Sequence, residues 1–344
     1  MGTNHMGRQS IRFPQPPVVR GFASVAGKKE REGPLGDQFT ATVQDTTFGE
    51  KSWERAERRM QQMTLELALE KAGLTDADLD AAFAGDLLNQ CIGSSFSLRN
   101  RGVPTLGLYG ACSTMAESLL LAAMSVSGGF ARTALAMTSS HFASSERQYR
   151  FPLGYGGQRT PTSQWTVTGA GAVLLGGGER GIRITAATIG SIVDRGICDA
   201  NNMGAAMAPA AADTLLSLFR DTQTGPADYD AIVTGDLGQV GHDLLMQLMR
   251  EQRMPLIDER YHDCGLLIFD REQQDVHAGG SGCGCSAAVL NGYFLPKLQS
   301  GELGRIIFMA TGALMSTTSS QQGETIPGVA HAVVLESPQR GKKE

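Results

Sequence analysis

The sequence has few cysteines, few aromatic residues and no long apolar run. Six cysteines in 344 residues are too few for a disulfide scaffold, and no C-x-x-C pair is present to suggest a structural zinc site. No stretch approaches the length of about 18 apolar residues that a membrane-spanning helix requires. We therefore expect reduced thiols, no bound metal and a cytoplasmic protein, in which any association with a membrane is peripheral.

An excess of positive charge is also lacking. Lys and Arg number 30 against 35 Asp and Glu, which gives a net charge of −5. A nucleic-acid-binding protein usually carries a broad basic surface, so nucleic acid is not an expected partner. Hydrophobic residues make up 41% of the chain, a content typical of packed globular domains and too high for a disordered protein.

Glycine is what the sequence has in excess, with 43 of 344 residues. No G-X-Y period runs through the chain, so a collagen-like structure is excluded. The glycines instead predict many tight turns and close backbone contacts. The length corresponds to about two domain-sized units.

Two segments of the chain carry nearly the same phrase. Residues 78–87 read DLDAAFAGDL and residues 228–237 read DYDAIVTGDL. Each phrase predicts a short strand that ends in Gly-Asp and follows an amphipathic helix. The first helix is predicted to begin after an N-cap at Ser52 and to end at Gly73, with Met63 and Leu67 among its buried residues. The second is predicted to begin at about Pro209.

The repetition continues along both halves in the same order. A Cys-Ser pair at Cys112 and another at Cys285 each open an apolar helix, and a strand follows each helix, at residues 133–138 and 305–310. The runs 172–175 and 332–335 also match. The chain is therefore predicted to be a duplicated α/β unit, with an N-terminal half at 20–180 and a C-terminal half at 181–337.

Two α/β halves with a cysteine at a strand-to-helix elbow resemble the thiolase superfamily, over nearly the whole chain. The resemblance implies an α/β, thiolase-like fold in which the two halves pack in an αβαβα layered arrangement. It also implies that Cys112 lines a pocket. The N-terminus of a helix stabilises a thiolate, so we expect the pKa of Cys112 to be lowered there.

The catalytic partners that condensing enzymes supply from their second half are not found at the matching positions. The first loop, after the predicted strand 231–234, contains Gly235 and Asp236, and the second contains no His or Asn from Ser281 to Leu290. The Cys-x-Gly turn of thiolases reads Ala-Thr-Gly at 310–312. We therefore assign no catalytic residue. An active acyltransferase that uses Cys112 remains the alternative, with a base at His141, His242 (in a following helix) or His277 (in a strand).

Four segments resemble one family of spore-forming bacteria, the stage V sporulation protein AD family. They are residues 83–90 (FAGDLLNQ), 142–152 (FASSERQYRFP), 207–214 (MAPAAADT) and 278–286 (AGGSGCGCS). The resemblance implies non-catalytic binding of dipicolinic acid (pyridine-2,6-dicarboxylate), free or as the calcium chelate, for uptake into the developing spore. It implies no cofactor other than calcium carried with the ligand.

The same resemblance implies partners and a location. The partners are membrane-embedded sporulation stage V A subunits, and the protein associates peripherally with the forespore or spore inner membrane. Thiolase-fold proteins generally dimerise through an edge strand, so a homodimer is expected. A second alternative is a scaffold subunit with a vestigial pocket, which recruits the membrane partners through its surface.

Nine residues are candidates for contact with the ligand. A planar aromatic dianion requires donors for two carboxylates and a flat apolar slot, which guanidinium, imidazole, amide and indole groups supply. The acidic and amide side chains near residue 86 could also ligate calcium through oxygen, or cap the next element instead. The two arginines could instead form structural ion pairs or dimer contacts, and the tryptophan could belong to the core. The candidates are Cys112, His141, Arg147, Arg150, Gln164, Trp165, Asn89, Asp86 and Ser281.

Overall fold

The computed structural model describes residues 4–149 and 159–340 of the chain. The strands are β1 (His5–Met6), β2 (Ser10–Arg12), β3 (Val18–Ala26), β4 (Ala41–Thr42), β5 (Ala81–Gly85), β6 (Thr105–Leu108), β7 (Thr133–Ser140), β8 (Trp165–Thr166), β9 (Gly169–Gly176), β10 (Arg183–Thr188), β11 (Ala231–Thr234), β12 (Tyr261–Asp263), β13 (Gly280–Ser281), β14 (Arg305–Ala313) and β15 (Gly328–Glu336). The helices are α1 (Lys28–Arg31), α2 (Trp53–Ala72), α3 (Ile92–Leu98), α4 (Thr114–Ser127), α5 (Phe142–Tyr149), α6 (Met203–Thr222), α7 (Gly238–Glu251), α8 (Cys264–Leu267), α9 (Cys283–Val289), α10 (Leu295–Ser300) and α11 (Thr317–Gln321).

The main strands form two groups with the same topology. The first group has the order β3-β9-β7-β5-β6 and the second has the order β10-β15-β14-β11-β12. In both groups the strands, numbered along the chain, are arranged as first, fifth, fourth, second and third. The groups meet where β10 pairs with β3 at one register position, Arg183 opposite Val18. A duplicated unit produces this repetition of strand order.

Helices cover both faces of each group of strands. Helices α2 and α3 pack on the outer face of the first group, and α6 packs on the second with α7 beside it. Helix α4 lies in the middle, in contact with β7 and β5 on one side and with β14 and β15 on the other. Helix α9 lies next to α4, against β7 and β9. The layers therefore follow the predicted order, αβαβα.

Helix α2 has the predicted ends but a different buried face. The hydroxyl of Ser52 accepts a hydrogen bond from the Arg55 N–H, and Gly73 closes the helix with a left-handed φ of 65°. Its fully buried side includes the polar residues Glu57 and Gln61. The predicted buried face of α2 is therefore partly wrong, because Met63 and Leu67 are only half-buried.

The start of helix α6 was predicted wrongly. The helix begins at Met203, where the side chain of the N-cap Asn202 accepts a hydrogen bond from the Ala205 N–H, and Pro209 lies inside it. Proline inside a helix removes one backbone hydrogen bond, so it usually marks a helix start. Here the buried residues on both sides of Pro209, among them Met207 and Ala211, stabilise the continuous helix by packing on the second group of strands.

Two glycines allow α9 to approach the first group of strands. A Cβ at Gly284 would lie 2.3 Å from the Gly169 carbonyl oxygen and 2.5 Å from the Ser140 nitrogen. Gly282 has a φ of 105°, a conformation that favours glycine. The glycine-rich loop therefore serves close backbone contact between the halves, as the sequence predicted. No helix of the described residues has the length and apolar character to cross a bilayer.

Candidate functional site

Cys112 lies in the short turn that connects β6 to α4. The turn is a 3₁₀ helix, Ala111–Ser113, and Ala111 adopts a φ of 53°, a left-handed conformation that is uncommon for residues other than glycine. The turn directs Cys112 inward, so that only 6% of its surface is exposed. The prediction of a cysteine at a strand-to-helix elbow is confirmed.

A cavity of about 230 Å³ lies beside Cys112, between the two halves of the chain. Its wall is mostly apolar and carries a small number of polar groups, a composition typical of small-molecule sites. The wall residues are Leu87, Ala111, Cys112, Ser145, Glu146, Tyr149, Thr166, Ala200, Asn201, Met203, Ser281, Ala313 and Met315. Because both halves contribute, the cavity exists only when the halves are packed together.

Asp236 lies in the loop after the strand 231–234, the loop in which the resemblance to condensing enzymes would place a histidine. It follows β11, is fully buried, and accepts hydrogen bonds through Oδ2 from the Gly282 N–H at 2.8 Å and the Ser281 hydroxyl at 3.3 Å. Its Oδ1 accepts from the Thr311 hydroxyl at 3.3 Å. Burial raises the pKa of Asp236 to about 7, although the hydrogen bonds from Gly282 and Ser281 favour the ionised carboxylate.

The environment of Cys112 keeps its thiol protonated. Burial raises the pKa of Cys112 well above its ordinary value, and the negative charge of Asp236 raises it further. The expected lowering of this pKa at the helix N-terminus is therefore wrong. Loss of water and the adjacent carboxyl group outweigh the helix dipole, which acts only over the first turn.

Ser281 lies at the start of the segment 281–290, which contains no His or Asn. It ends β13, just before α9, and its hydroxyl lies 4.0 Å from the Cys112 sulfur. The structure thus places Cys112, Asp236 and Ser281 together in space, although they are far apart in the sequence. The three groups form a hydrogen-bonded cluster without a strong base.

His141 lies outside the cavity wall. Its Nε2 lies 2.8 Å from the Thr46 carbonyl oxygen, which fixes Nε2 as the donor, and its Nδ1 accepts from the Ala143 N–H at 3.2 Å. Burial lowers the pKa of His141, so the ring is neutral in this position. Both ring nitrogens are therefore occupied by backbone groups, and the structure places this candidate in a structural role.

The other two histidines that could serve as a base also lie elsewhere. His242, in helix α7 as predicted, stacks on Tyr261 with ring centroids 4.7 Å apart. His277 lies in a turn with a φ of 49° and pairs with Asp275, which corrects the prediction that it belongs to a strand. Neither side chain is part of the cavity wall in the described part of the chain.

Arg147, one of the two arginine candidates, does not belong to the cavity wall in the described residues. Arg147 forms an ion pair with Glu54 on the outer side of α5, and about half of its side chain is exposed. This arrangement matches the alternative of a structural ion pair. Arg150 lies outside the described residues.

Gln164 and Trp165 lie outside the cavity wall. The Gln164 side chain donates to the carbonyl oxygens of Asp236 at 2.8 Å and Gly280 at 2.7 Å, so it joins two loops of the second half. The Trp165 ring stacks on Phe142 with centroids 3.9 Å apart, away from the cavity. Since side chains alternate along a strand, it is the next residue, Thr166, that reaches the cavity wall.

Asp86 and Asn89 lie near the cavity but not in its wall. The Asp86 carboxyl is fully buried and accepts from the Ser94 N–H and hydroxyl, both at 2.7 Å, which is the capping role that the sequence left open. Asn89 accepts a hydrogen bond from the Tyr109 hydroxyl at 3.1 Å, at the rim of an adjoining cavity of about 420 Å³. In the described ranges, no three His, Cys, Asp or Glu side chains are grouped so as to hold a metal ion.

Sequence reasoning missed the side of α5 that faces the cavity. Ser145 and Tyr149 are one helical turn apart, and Glu146 lies between them. The Tyr149 hydroxyl donates to the Leu87 carbonyl oxygen at 2.8 Å, and Glu146 Oε1 accepts from the Thr166 hydroxyl at 3.0 Å. The one sequence signal for these residues was the i, i+4 spacing of Ser145 and Tyr149 within the segment 142–152, which resembles the sporulation family.

Solved structures with the same arrangement of helices and strands define the class of this protein. Human mitochondrial 3-ketoacyl-CoA thiolase in complex with CoA has a TM-score of 0.59 and 10% identity, with 95% of this chain and 99% of that chain covered. OleA E117Q from Xanthomonas campestris has a TM-score of 0.58 and 14% identity, with 96% and 99% covered. The 3-oxoacyl-[acyl-carrier-protein] synthase III of Aquifex aeolicus has a TM-score of 0.55 and 12% identity, with 93% and 99% covered. The protein therefore has the thiolase fold.

Sequence comparison identifies the particular family. Stage V sporulation protein AD of Bacillus subtilis (strain 168) is 46% identical to this chain over 330 residues, which span 96% of this chain and 97% of that protein. The family described as Stage V sporulation protein AD (SpoVAD) matches residues 7–336. The chain belongs to the Stage V sporulation protein AD family and is a sporulation protein.

Proposed function

We propose that this sporulation protein binds dipicolinic acid, free or as its calcium chelate, in the cavity beside Cys112. The ligand is held without chemical change while it is taken up into the developing spore. Membership of the family supplies the sporulation context, and the cavity supplies a site of suitable size and composition. The ligand identity rests on the resemblance of the four sequence segments to this family.

The observation that carries the non-catalytic part of the proposal is the burial of Cys112 beside the acidic group of Asp236, with Ser281 in contact with both. Acyl transfer to a cysteine requires a thiolate or a base that removes the thiol proton. The pKa of Cys112 is instead raised, so its thiol keeps its proton, and the Ser281 hydroxyl 4.0 Å from its sulfur donates to the Asp236 carboxyl. No histidine belongs to the cavity wall within residues 4–149 and 159–340.

The volume of the cavity, about 230 Å³, and its composition suit a small aromatic ligand. Apolar groups from Leu87, Ala313 and Met315 can contact the faces of a pyridine ring, and the Tyr149 ring adds an aromatic wall. Hydroxyl groups on the wall, such as that of Thr166, can meet carboxylate oxygens at the ring edge. Apolar walls with a small number of polar groups fix both the position and the orientation of a small ligand.

The charge of the ligand must be offset within the cavity. Glu146 lies in the wall and Asp236 lies just behind it, so a free dianion would meet two acidic groups. Protonation of Asp236 reduces this repulsion, since its pKa is about 7. A calcium ion carried with the ligand reduces it as well, and carboxylate and hydroxyl oxygens are suitable ligands for calcium.

Partners and location form part of the same proposal. We place the protein at the forespore membrane, docked on membrane-embedded stage V A subunits, with a homodimer as the docking form. The edge strand β6 supports the homodimer, because it pairs with β5 on one side and the Leu106 side chain on it is 56% exposed.

Calorimetric titration of the full-length protein with dipicolinate, with and without calcium, tests the proposal. We expect saturable binding, which Cys112→Ala weakens by changing the shape of the wall. Cys198→Ala is the matched control, because Cys198 is exposed and lies outside the wall. Absence of binding by the intact protein would favour the scaffold alternative. A stable acyl adduct on Cys112, found by mass spectrometry after incubation with acyl thioesters, would favour the acyltransferase.

A further inference from the structure

Ser145 is a buried polar residue whose side chain has no partner. It lies in helix α5, in the wall of the cavity beside Cys112, and only 1% of its surface is exposed. Its Oγ makes no hydrogen bond to any part of the chain that the structure describes. Buried hydroxyl groups are nearly always paired, so an exception requires an explanation.

The residues on either side of Ser145 are fully engaged. The Ser144 hydroxyl donates to Glu57 Oε2 at 2.7 Å, on the side of α5 that faces the core. Glu146 Oε1 accepts from the Thr166 hydroxyl at 3.0 Å. The Ser145 N–H donates to the His141 carbonyl oxygen at 3.1 Å. The hydrogen bonds of Ser144 and Glu146 thus fix the helix on both sides of Ser145, and Ser145 stays in the cavity wall.

Among the described wall residues of the cavity, Ser145 is the only one with a buried polar atom that lacks a partner. Other hydroxyl groups of the wall are satisfied within the protein, as Ser281 and Thr166 show. A hydroxyl group that is pre-positioned, dehydrated and unpaired is suited to donate to an acceptor on a ligand. The hydroxyl has already lost its water in the unliganded protein. A hydrogen bond that it forms with a ligand therefore strengthens binding without a further desolvation cost for this group.

We infer that the Ser145 hydroxyl is a ligand-binding group that donates a hydrogen bond to a carboxylate of the bound pyridine dicarboxylate, an inference that rests on the proposed function. Ser145 then selects ligands with an acceptor oxygen at this edge of the ring. It comes from the first half of the chain, and Cys112 and Ser281 lie in the same wall. The contact would therefore orient the ring between the halves.

The test compares dipicolinate binding by wild type, Ser145→Ala and Ser145→Cys, by calorimetry on the full chain. We expect both variants to bind about tenfold more weakly, because a hydrogen bond to a charged group is lost in the first and a thiol is a poor donor in the second. Ser127→Ala is the matched control, since its hydroxyl also lacks a partner but lies at the end of α4 far from Cys112. This control should bind as wild type does.

The outcomes separate the inference from the proposed function. No binding by wild type would reject the proposed function and leave Ser145 without its assigned ligand. Binding by wild type with equal affinity in both Ser145 variants would overturn the inference alone. The melting temperature of each unliganded variant is measured first, and the two substitutions provide independent tests if one of them unfolds the protein.

Discussion

The hydroxyl of Ser281 lies 4.0 Å from the sulfur of Cys112, across the boundary between the two halves of the chain, and donates a hydrogen bond to the buried carboxyl group of Asp236. In a condensing enzyme a cysteine in this place is activated as a nucleophile. Here the neighbouring acid stabilises the protonated thiol, since a second negative charge beside it would be repelled. Asp236 therefore raises the pKa of Cys112 and, because its own pKa is about 7, also affects the charge near the cavity.

The first prediction concerns the reactivity of Cys112. At about pH 8 we expect iodoacetamide to alkylate Cys112 much more slowly than the exposed Cys198, because the thiolate is the reactive form. Asp236→Asn removes the adjacent charge and should speed alkylation of Cys112 by about tenfold, equivalent to about one unit of pKa. Peptide mass spectrometry over time measures both rates. Equal rates for the two cysteines in wild type would contradict the account.

The second prediction concerns the pH dependence of binding. Burial raises the pKa of Asp236 to about 7, so the group is neutral below that pH and negative above it. Affinity for calcium-free dipicolinate should fall as the pH rises from about 6 to about 8, because an anionic ligand is repelled by the ionised carboxylate. Titrations of wild type and Asp236→Asn across this range test the point. The same pH profile in both proteins would show that Asp236 is not responsible.

The third prediction concerns Glu57 and the stability of the fold. Burial and the neighbouring Asp86 together raise the pKa of Glu57 to about 8, although the Ser144 and Ser139 hydroxyls, which donate to the carboxylate, lower it. Because the pKa is higher in the folded state than in the unfolded chain, its stabilising contribution is complete below the ordinary pKa. It is lost as the pH rises through about 8.

Melting temperatures between about pH 5 and about pH 8 measure this effect. Glu57→Gln should reduce the fall in melting temperature over this range by roughly 5 °C. The matched control is Glu70→Gln on the same helix, where the side chain is exposed and no change is expected. Glu30 and Asp236 also have pKa values raised to about 7, so the melting temperature of the variant will still fall somewhat as the pH rises. If the melting temperature of Glu57→Gln falls with pH as steeply as that of wild type, Glu57 is not responsible for the pH dependence of stability.

The fourth prediction concerns the edge of the first group of strands. If two copies pair through β6, Leu106→Lys places two charges in the interface and should convert the dimer to a monomer. Sedimentation velocity measures the change. Phe130→Lys serves as the control, because Phe130 is 87% exposed on a loop outside β6. A wild-type protein that sediments as a monomer at high concentration would reject the predicted dimer.

The sequence predicts the fold well because the same short strand and helix motifs occur in both halves, and each occurrence supports the other. Residues 78–87 and 228–237 identified β5 and β11, and the paired Cys-Ser phrases identified the helices that become α4 and α9. The αβαβα arrangement followed from the resemblance to thiolases. The prediction is wrong where tertiary packing decides the bounds of an element. Helix α6 continues through Pro209, because its buried neighbours stabilise the helix on both sides.

The site is predicted less completely because it is assembled from distant segments. Cys112 and Ser281 were identified from their own motifs, yet their proximity to Asp236 depends on how the halves pack. His141 and Trp165 carry suitable chemistry, but their side chains contact backbone and ring partners outside the cavity. Which side of a short helix faces a cavity cannot be deduced from composition.

The glycine excess takes on a specific meaning in this structure. At Gly284 the absence of a side chain lets α9 approach the backbone of β7 and β9, and at Gly282 the left-handed φ turns the loop toward Asp236. The Gly282 N–H then donates to the Asp236 carboxyl at 2.8 Å. Glycines in this loop thus place the acid beside Cys112.

The central claim is that the cavity beside Cys112 binds dipicolinate without covalent chemistry. One measurement tests it most directly: calorimetric titration of the full chain, with calcium and without it, followed by intact mass analysis of the same sample. The account predicts saturable binding, weakened in Cys112→Ala and unchanged in Cys198→Ala, with no change in protein mass. A flat titration under both conditions would contradict it.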